Sequence, residues 1–179
     1  MTDNILTPEF RVSFPNLFKA RKANEQAEAK YSVSMLFAKG ADLSALKKAA
    51  EAAVREKWGD KIPKKLKKPF LEQGDYDLEG YEPGCVLIRA SSQHKPGVVD
   101  KNVQTIVDES EVYPGCYGRA TVRAFTYDVN GNAGVSFGLQ NFQKLRDGDP
   151  LGGRTRPEDD FTPVSGGDVD VLSADSMFD

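Results

Sequence analysis

Residues 115–145 decide the fold, and in one-letter code they read GCYGRATVRAFTYDVNGNAGVSFGLQNFQKL. Two long segments with strand-like alternation, 115–127 and 133–145, flank a short polar stretch that contains Asn130-Gly131. Asn-Gly is the strongest short-range signal for a β-hairpin, because both residues tolerate the positive φ angles of a type I′ turn. The sequence therefore predicts a long antiparallel hairpin over these residues.

More strand patterns precede this hairpin. Alternating residues predict strands at 10–14, 31–37 and 85–90, and a shorter strand at 105–107. In the first of them Phe10, Val12 and Phe14 share one face. The polar residues 16–30 predict a flexible connector, and two prolines in the lysine-rich segment 61–69 predict a surface loop.

A single long helix is predicted in the middle of the chain. Asp42 is placed to cap it, apolar residues recur at spacings of three and four from Leu43 to Val54, and Gly59 ends it after Trp58. Strands outnumber helices and do not alternate with them, which argues against a parallel doubly wound sheet. The predicted fold is mainly β: a five-stranded antiparallel barrel of the oligonucleotide-binding (OB) type with one inserted helix.

Charge is distributed unevenly along the chain. Residues 157–179 contain seven acids and no Lys or Arg, so the remaining 20 acids and all 24 bases give residues 1–156 a net charge of +4. The expected organisation is an OB domain over 1–150 and a flexible linker with an acidic tail over 151–179. This asymmetry is typical of a body that binds a polyanion and a tail that imitates one, although a tail that only aids solubility is the alternative.

Met177-Phe178 near the end of the tail favours a docking peptide, since an aromatic anchor can fill a pocket of a partner protein. The residues predicted to bind that partner are Asp168, Asp170, Asp175, Met177, Phe178 and Asp179.

Several function classes find little support in the composition. The chain has one histidine, His94, and two cysteines, Cys85 and Cys116, without paired spacing, so neither a metal site nor a cofactor is predicted. Both cysteines lie in strand-like text and are expected to be reduced and buried. No nucleophile elbow or phosphate loop appears, so we expect no enzyme. Without an apolar run of membrane length or a signal peptide, the protein is expected to stay in the compartment where it is made.

Alternation along 115–127 separates two faces of different chemistry. The small, mostly apolar face consists of Cys116, Gly118, Ala120, Val122 and Ala124. The other face carries Tyr117, Arg119, Thr121, Arg123, Phe125 and Tyr127. Arginines beside aromatic rings suit a single nucleic-acid strand, whose phosphates need cations and whose unpaired bases need flat surfaces on which to stack. The alternative is that the aromatic residues pack under a loop and the arginines form surface ion pairs.

Further cations flank this predicted surface: Arg11, Lys19, Arg21, Lys22, Lys30, Lys64, Lys65, Arg89 and Lys95. Their sign suits a phosphate backbone, and no base-reading helix motif accompanies them, so the sequence predicts binding without base preference.

The ordered region also resembles a known family. The blocks that carry the resemblance are 11–18, 30–37, 90–92 with 95–100, 113–120 and 134–148. They are similar, in the same order, to the phage-type single-stranded-DNA-binding proteins with an OB barrel, a family first catalogued as a domain of unknown function. The resemblance implies a replicative single-strand binder of a bacteriophage or prophage, whose acidic tail recruits replication proteins. It also implies a location in the cytoplasm of a bacterial host cell.

Two functions from different classes remain open. The first is a non-catalytic coat for single-stranded DNA whose tail recruits a polymerase, helicase or nuclease. The second is a protein-interaction or recombination-accessory module in which nucleic acid is secondary. Both functions are compatible with a homo-oligomer.

Overall fold

The computed structural model describes residues 4–151 and 161–164, and the predicted docking residues of the tail, 168–179, lie outside them. The described part contains one α-helix, α1, over Ser44–Trp58, and two short 3-10 helices, over Gln73–Asp75 and Glu109–Glu111. Its strands are β1 (Ile5–Leu6), β2 (Phe10–Arg21), β3 (Lys30–Leu36), β4 (Leu71–Glu72), β5 (Val86–Ser92), β6 (Gly97–Val99), β7 (Tyr117–Val129) and β8 (Asn132–Arg146).

Five of these strands form a closed ring. They pair in the order β7, β2, β3, β5 and β8, and the pairing of β8 with β7 completes the circle. The β5–β8 pair is parallel, whereas the other four pairs of the ring are antiparallel. The predicted fold, a mainly β, OB-like ring of five strands with one inserted helix, is confirmed.

The hairpin β7–β8 has the turn that its sequence predicts. Asn130 and Gly131 have φ angles of 52° and 80°, as a type I′ turn requires, and Val129 pairs with Asn132 next to them. Pairing then continues along the strands as far as Tyr117 and Arg146. This hairpin is the longest pair of strands in the ring.

Small residues on the inner face of β7 make room for phenylalanines inside the ring. Ala120 and Ala124 of β7 pair with Phe142 and Phe137 of β8, and all four are buried. A methyl group added at Gly118 would clash with the ring of Phe142, so this glycine permits the close approach. The predicted small apolar face is therefore the wall of the core.

Helix α1 packs on this core through the face that its periodicity predicts. Its buried residues are Leu46, Ala50, Ala53 and Val54, and it ends at Gly59, which has a positive φ of 58°. The prediction that Asp42 caps this helix is wrong by one position: the N-cap residue is Leu43, although Asp42 accepts a hydrogen bond from the backbone N–H of Ser44. Both cysteines are buried, as expected.

The connector predicted over 16–30 is wrong for its first part, because β2 continues to Arg21 and pairs with Lys30 at the start of β3. Two irregularities in the register, between Ser13 and Asn16 and between Asn16 and Arg21, break the alternation that would have shown a strand. Only residues 22–29 connect the two strands, and β2 and β3 together form a long hairpin.

Two smaller expectations also fail. Phe14 does not share the inner face with Phe10 and Val12: it has a positive φ of 44° at the first irregularity of β2 and is 53% exposed. The strand predicted at 105–107 is only a single bridge, between Thr105 and Val99. Val99 belongs to β6, a strand that the apolar pattern did not predict.

We expect Phe137→Ala to destabilise the protein by about 3–5 kcal/mol, because Phe137 is fully buried in the ring and its loss leaves a cavity. Val129→Ala, at a residue that is 60% exposed, is the matched control and should change stability by less than about 0.5 kcal/mol. Urea unfolding measures both. Equal stabilities for the two variants would contradict the described core.

Candidate nucleic-acid interface

A groove lies between the β2–β3 hairpin and the end of β5. Its volume is about 630 Å³. It is lined by Asn16, Arg21, Lys22, Ala23, Ala27, Glu28, Lys30, Ser32 and Ser91. Three of the predicted cations, Arg21, Lys22 and Lys30, therefore line one concave surface, and all three are exposed.

A row of paired residues crosses all five strands of the ring at this groove. Asn16 pairs with Ser32, Ser32 with Ser91, Ser91 with Gly138, and Gly138 with Arg123. Paired residues of neighbouring strands point to the same side of a sheet, so this row lies on the outer surface. The adjacent row of Val33, Ala90, Phe137 and Ala124 is completely buried, which confirms the assignment of sides.

The row has a small, polar middle between two charged ends. Ser32, Ser91 and Gly138 carry little side-chain bulk, whereas the cations of the β2–β3 hairpin stand at one end and Arg123 at the other. Asn16 donates a hydrogen bond of 3.3 Å from its side-chain amide to the hydroxyl of Ser32. The result is a shallow polar floor onto which a flat ligand can be laid.

Phe125 provides an aromatic surface beside this floor. It lies two residues from Arg123 on the same face of β7, and 43% of it is exposed. A methyl group built on Gly138 would lie 3.8 Å from the Phe125 ring and 3.9 Å from the carbonyl oxygen of Ser91. The phenyl ring of Phe125 thus borders the space above Gly138. A base that stacks on this phenyl ring requires no rearrangement of the core.

Tyr127 extends the same face but already rests on the sheet. It pairs with Gly134 of β8, and a methyl group at Gly134 would clash with the tyrosine ring. Since the ring covers the glycine backbone, Tyr127 stabilises the end of the hairpin whatever else it binds.

An acidic loop, residues 73–85 between β4 and β5, contacts β2 and β5 beside the floor. Tyr81 of this loop shares a hydrogen bond of 2.8 Å with the buried Ser13, and Arg89 of β5 lies 5.2 Å from the ring centre of Tyr76. The loop carries four carboxylates, of Asp75, Asp77, Glu79 and Glu82. Arg89 is therefore part of a cation–π contact at the border, not a free cation on the floor.

Arg11 and Tyr117 belong to a second cluster, away from the floor. The guanidinium of Arg146 lies 3.8 Å from the ring centre of Tyr117, and that of Arg11 lies 5.8 Å from it. Arg146 also forms a salt bridge of 2.8 Å with Glu9, and the hydrogen bond to this carboxylate raises the pKa of Arg146. Arg11 donates to the carbonyl oxygens of Gly115 and Asp149. The cluster joins the ends of β2, β7 and β8.

Arg119 is held within the sheet by an amide. Its Nε donates a hydrogen bond of 2.7 Å to the side-chain oxygen of Gln143, whose nitrogen donates to the carbonyl oxygens of Asp100 and Lys101. The guanidinium connects β7 to β8, and through Gln143 to the loop after β6. Arg119 shares the outer face of β7 with Arg123 but lies four residues away from the floor.

The remaining predicted cations are exposed but do not line the groove. Lys19 lies near the end of β2, and Lys95 lies in the loop after β5. Lys64 and Lys65 lie in the lysine-rich loop, which is tied to the start of β8 because the N–H of Lys67 donates to Ala133 and its carbonyl accepts from Val135.

Sequence reasoning missed the floor itself. Asn16, Ser32, Ser91 and Gly138 were not among the predicted contacts, because none of them is charged or aromatic. The sequence contains one indication of the floor: Ser32 occupies an outward position of an alternating strand. Small polar residues are common at such positions, because this face of the strand is solvated.

Within residues 4–151 and 161–164 no group of three or more His, Cys, Asp or Glu side chains is arranged to hold a metal ion. Burial raises the pKa of the Cys116 thiol, so this group stays protonated at neutral pH. Every helix in the described part of the chain lacks the length and hydrophobicity needed to span a membrane.

Comparison with known proteins decides the family. The family model described as "Enterobacter phage Enc34, ssDNA-binding protein" matches residues 3–172. The chain belongs to this family. Protein p50 of Acyrthosiphon pisum secondary endosymbiont phage 1 is 31% identical to it over 177 residues, which cover 92% of this chain and 95% of the relative.

Solved structures of phage proteins share the fold. The single-stranded DNA-binding protein of bacteriophage Enc34, in complex with single-stranded DNA, superposes with a TM-score of 0.68 at 21% identity and covers 83% of this chain and 89% of its own. The single-stranded DNA-binding protein gp2.5 of bacteriophage T7 superposes with a TM-score of 0.60 at 14% identity, over 90% and 98% of the two chains.

Proposed function

We propose that this protein binds single-stranded DNA without base preference across the row from Asn16 to Arg123. The observation that carries the proposal is the combination, on one outer surface, of a small polar floor, an exposed aromatic ring and cations at both ends. Membership of the Enc34 family supports it, because the protein that gives the family its description binds single-stranded DNA.

Each part of the surface has a physical task in this proposal. Arg21, Lys22, Lys30 and Arg123 neutralise phosphates, whereas Phe125 offers its ring to an unpaired base. The lack of a side chain at Gly138 lets a base approach the sheet closely beside that ring. Stacking and phosphate contacts are the same for every base, so this surface holds a strand without reading its sequence.

The acidic segment 157–179 adds a second task. We propose that it recruits a replication protein, such as a polymerase, helicase or nuclease, through Met177-Phe178, in the host cell during phage replication. Its seven carboxylates also imitate a phosphate chain opposite a body of charge +4. Since both are parts of one chain, the segment acts at an effective concentration of the order of millimolar and competes with DNA.

Salt dependence tests the phosphate contacts. If about four phosphates are neutralised, the logarithm of the affinity should fall with the logarithm of salt concentration with a slope of about −3. Arg123→Ala and Lys30→Ala should each reduce the slope by about 0.7. Lys39→Ala removes an exposed lysine beyond the other end of β3 and is the matched control, with an unchanged slope.

Fluorescence anisotropy with a labelled oligonucleotide measures these slopes. An affinity that does not depend on salt, or no binding at all, would contradict the proposal and favour the protein-interaction module.

Two aromatic residues of β7, Phe125 and Tyr117, should behave differently. Phe125→Ala should cost about 1–3 kcal/mol of binding, because a half-exposed ring that stacks on a base is lost. Tyr117→Ala should affect DNA binding far less, since Arg146 already occupies a face of that ring. Titration of the folded variants with oligonucleotides, with circular dichroism as the folding control, measures both. Equal losses would show that the floor is not the stacking site.

Removal of the acidic segment should tighten DNA binding. A chain that ends at Arg156 loses seven negative charges and should bind single strands more strongly at low salt, with a difference that shrinks as salt screens the charges. Phe178→Ala keeps all carboxylates and should leave DNA affinity nearly unchanged while it weakens capture of the replication protein. If truncation alters neither property, the segment only aids solubility.

A further inference from the structure

Phe14 of β2 combines an exposed ring with a strained backbone. Its φ angle is 44°, and 53% of the residue is exposed. A positive φ is rare for a bulky residue, because its side chain then crowds its own backbone, and such strain is concentrated at functional sites. Burial is a weak reason for a phenylalanine here, since more than half of it stays in contact with solvent.

A β-bulge directs this ring outward. The register of β2 with β3 leaves two residues of β2, Phe14 and Pro15, opposite Val33 alone. The extra residue turns Phe14 away from the core, where regular alternation would have placed it. The side-chain amide of Asn16 donates a hydrogen bond of 3.3 Å to the carbonyl oxygen of Phe14 and another of 3.3 Å to the hydroxyl of Ser32. A residue of the polar floor therefore holds the backbone of Phe14 in place.

An apolar pocket lies beside the ring of Phe14, between the bulge of β2 and the acidic loop. Its volume is about 140 Å³. It is lined by Ser13, Phe14, Leu78, Glu79, Tyr81, Pro114 and Leu151. The hydroxyl groups of Ser13 and Tyr81 bond to each other at 2.8 Å, and the N–H of Leu151 donates to the carbonyl oxygen of Pro114 at 2.9 Å. These bonds fix opposite walls of the pocket next to the floor.

The size and the walls of this pocket suit a single flat ring. An apolar cavity of about 150 Å³ can hold one molecule of the size of benzene. Phe14 offers a ring face for stacking, whereas Leu78, Pro114 and Leu151 offer apolar contact. A phosphate does not suit the pocket, because the carboxylate of Glu79 would repel it. The matching ligand places a flat ring in the pocket and keeps its negative charge outside.

We propose that the pocket takes one nucleobase of the strand that lies on the floor, with Phe14 as its stacking surface. The inference rests on the proposed function, because the strand on the floor brings the base to the pocket. The row from Asn16 to Arg123 crosses five strands, which places Phe14 and Phe125 roughly 20 Å apart along the sheet. A bound strand then stacks on an aromatic ring at each end and passes over small polar residues between them.

The strained backbone permits a sharp test by substitution. Glycine adopts a φ of 44° without strain, so Phe14→Gly removes the ring and keeps the fold. We expect this variant to bind oligothymidine about 5- to 150-fold more weakly than the parent protein, because one stacked base is lost. Phe14→Tyr keeps an aromatic ring and should bind like the parent. Fluorescence anisotropy measures the affinities, and circular dichroism confirms that the variants are folded.

Val103 supplies the matched control. It also has a positive φ, of 61°, and it is 68% exposed, but it lines neither the floor nor the pocket. Val103→Gly therefore makes the same change to the backbone and should leave the affinity for oligothymidine unchanged.

Photo-cross-linking identifies the side chain that lies against the base. Oligothymidine with 5-iodouracil at one position at a time is bound to the full-length protein and irradiated, so that a base stacked on an aromatic ring becomes attached to it. We expect an adduct in the tryptic peptide 12–19, assigned by fragmentation to Phe14 rather than Phe18. The adduct at Phe14 should form at a different iodouracil position from the adduct at Phe125. Phe14→Gly should lose the first adduct and keep the second.

The results separate this inference from the proposed function. Salt-dependent binding with an adduct at Phe125, no adduct at Phe14 and an unchanged affinity of Phe14→Gly would overturn the base pocket and leave the floor in place. An equal loss of affinity in Phe14→Gly and Val103→Gly would also overturn it, since the backbone and not the ring would then be responsible. A parent protein that does not bind oligothymidine would overturn both proposals.

Discussion

Pairing of β7 with β8 is the constraint on which the rest of the structure depends. It closes the ring of five strands, and its register fixes which residues of both strands point inward. With Gly118, Ala120 and Ala124 facing in, phenylalanines of β8 fill the interior. The same register turns Arg123 and Phe125 outward beside Gly138. The register of β7 with β8 thus sets both the core on the inner face and the proposed binding surface on the outer face. A change of register would displace the residues of both faces together.

The hairpin, its turn and its two faces could be predicted from the sequence, because each depends on residues close together in the chain. The polar floor could not be predicted. It arises from the pairing of β3 with β5 and of β5 with β8, and the parallel pair joins residues that are 47 positions apart, Ala90 and Phe137. Local alternation states which side a residue faces but not which strand lies next to it. The irregularities of β2 hid half of a strand for a related reason, since an extra residue in a strand changes the apparent period.

Arginine and aromatic residues occur together in three places with different roles. At Tyr117 the guanidinium of Arg146 lies 3.8 Å from the ring centre, and at Tyr76 that of Arg89 makes a looser cation–π contact at 5.2 Å. Phe125 and Arg123 share a face without such a contact in the described part of the chain. A pair of an arginine and an aromatic residue can bind a nucleic-acid strand in one place and stabilise the fold in another. Composition alone therefore cannot separate the two roles. Geometry can, because a ring that is already covered by a cation has one face less for a base.

The ring also determines when the domain can become stable. Its closing strand, β8, ends at Arg146, and β1 and β2 pair with β7 across more than 100 residues. Until residues 117–146 are in place, β2, β3 and β5 have unpaired edges and their apolar faces lack the phenylalanines that cover them. Contacts of such long sequence separation are associated with folding in milliseconds to seconds. During that time the incomplete sheet is exposed to pairing with other chains, and the strong Asn-Gly turn, which brings β7 and β8 together locally, shortens the interval.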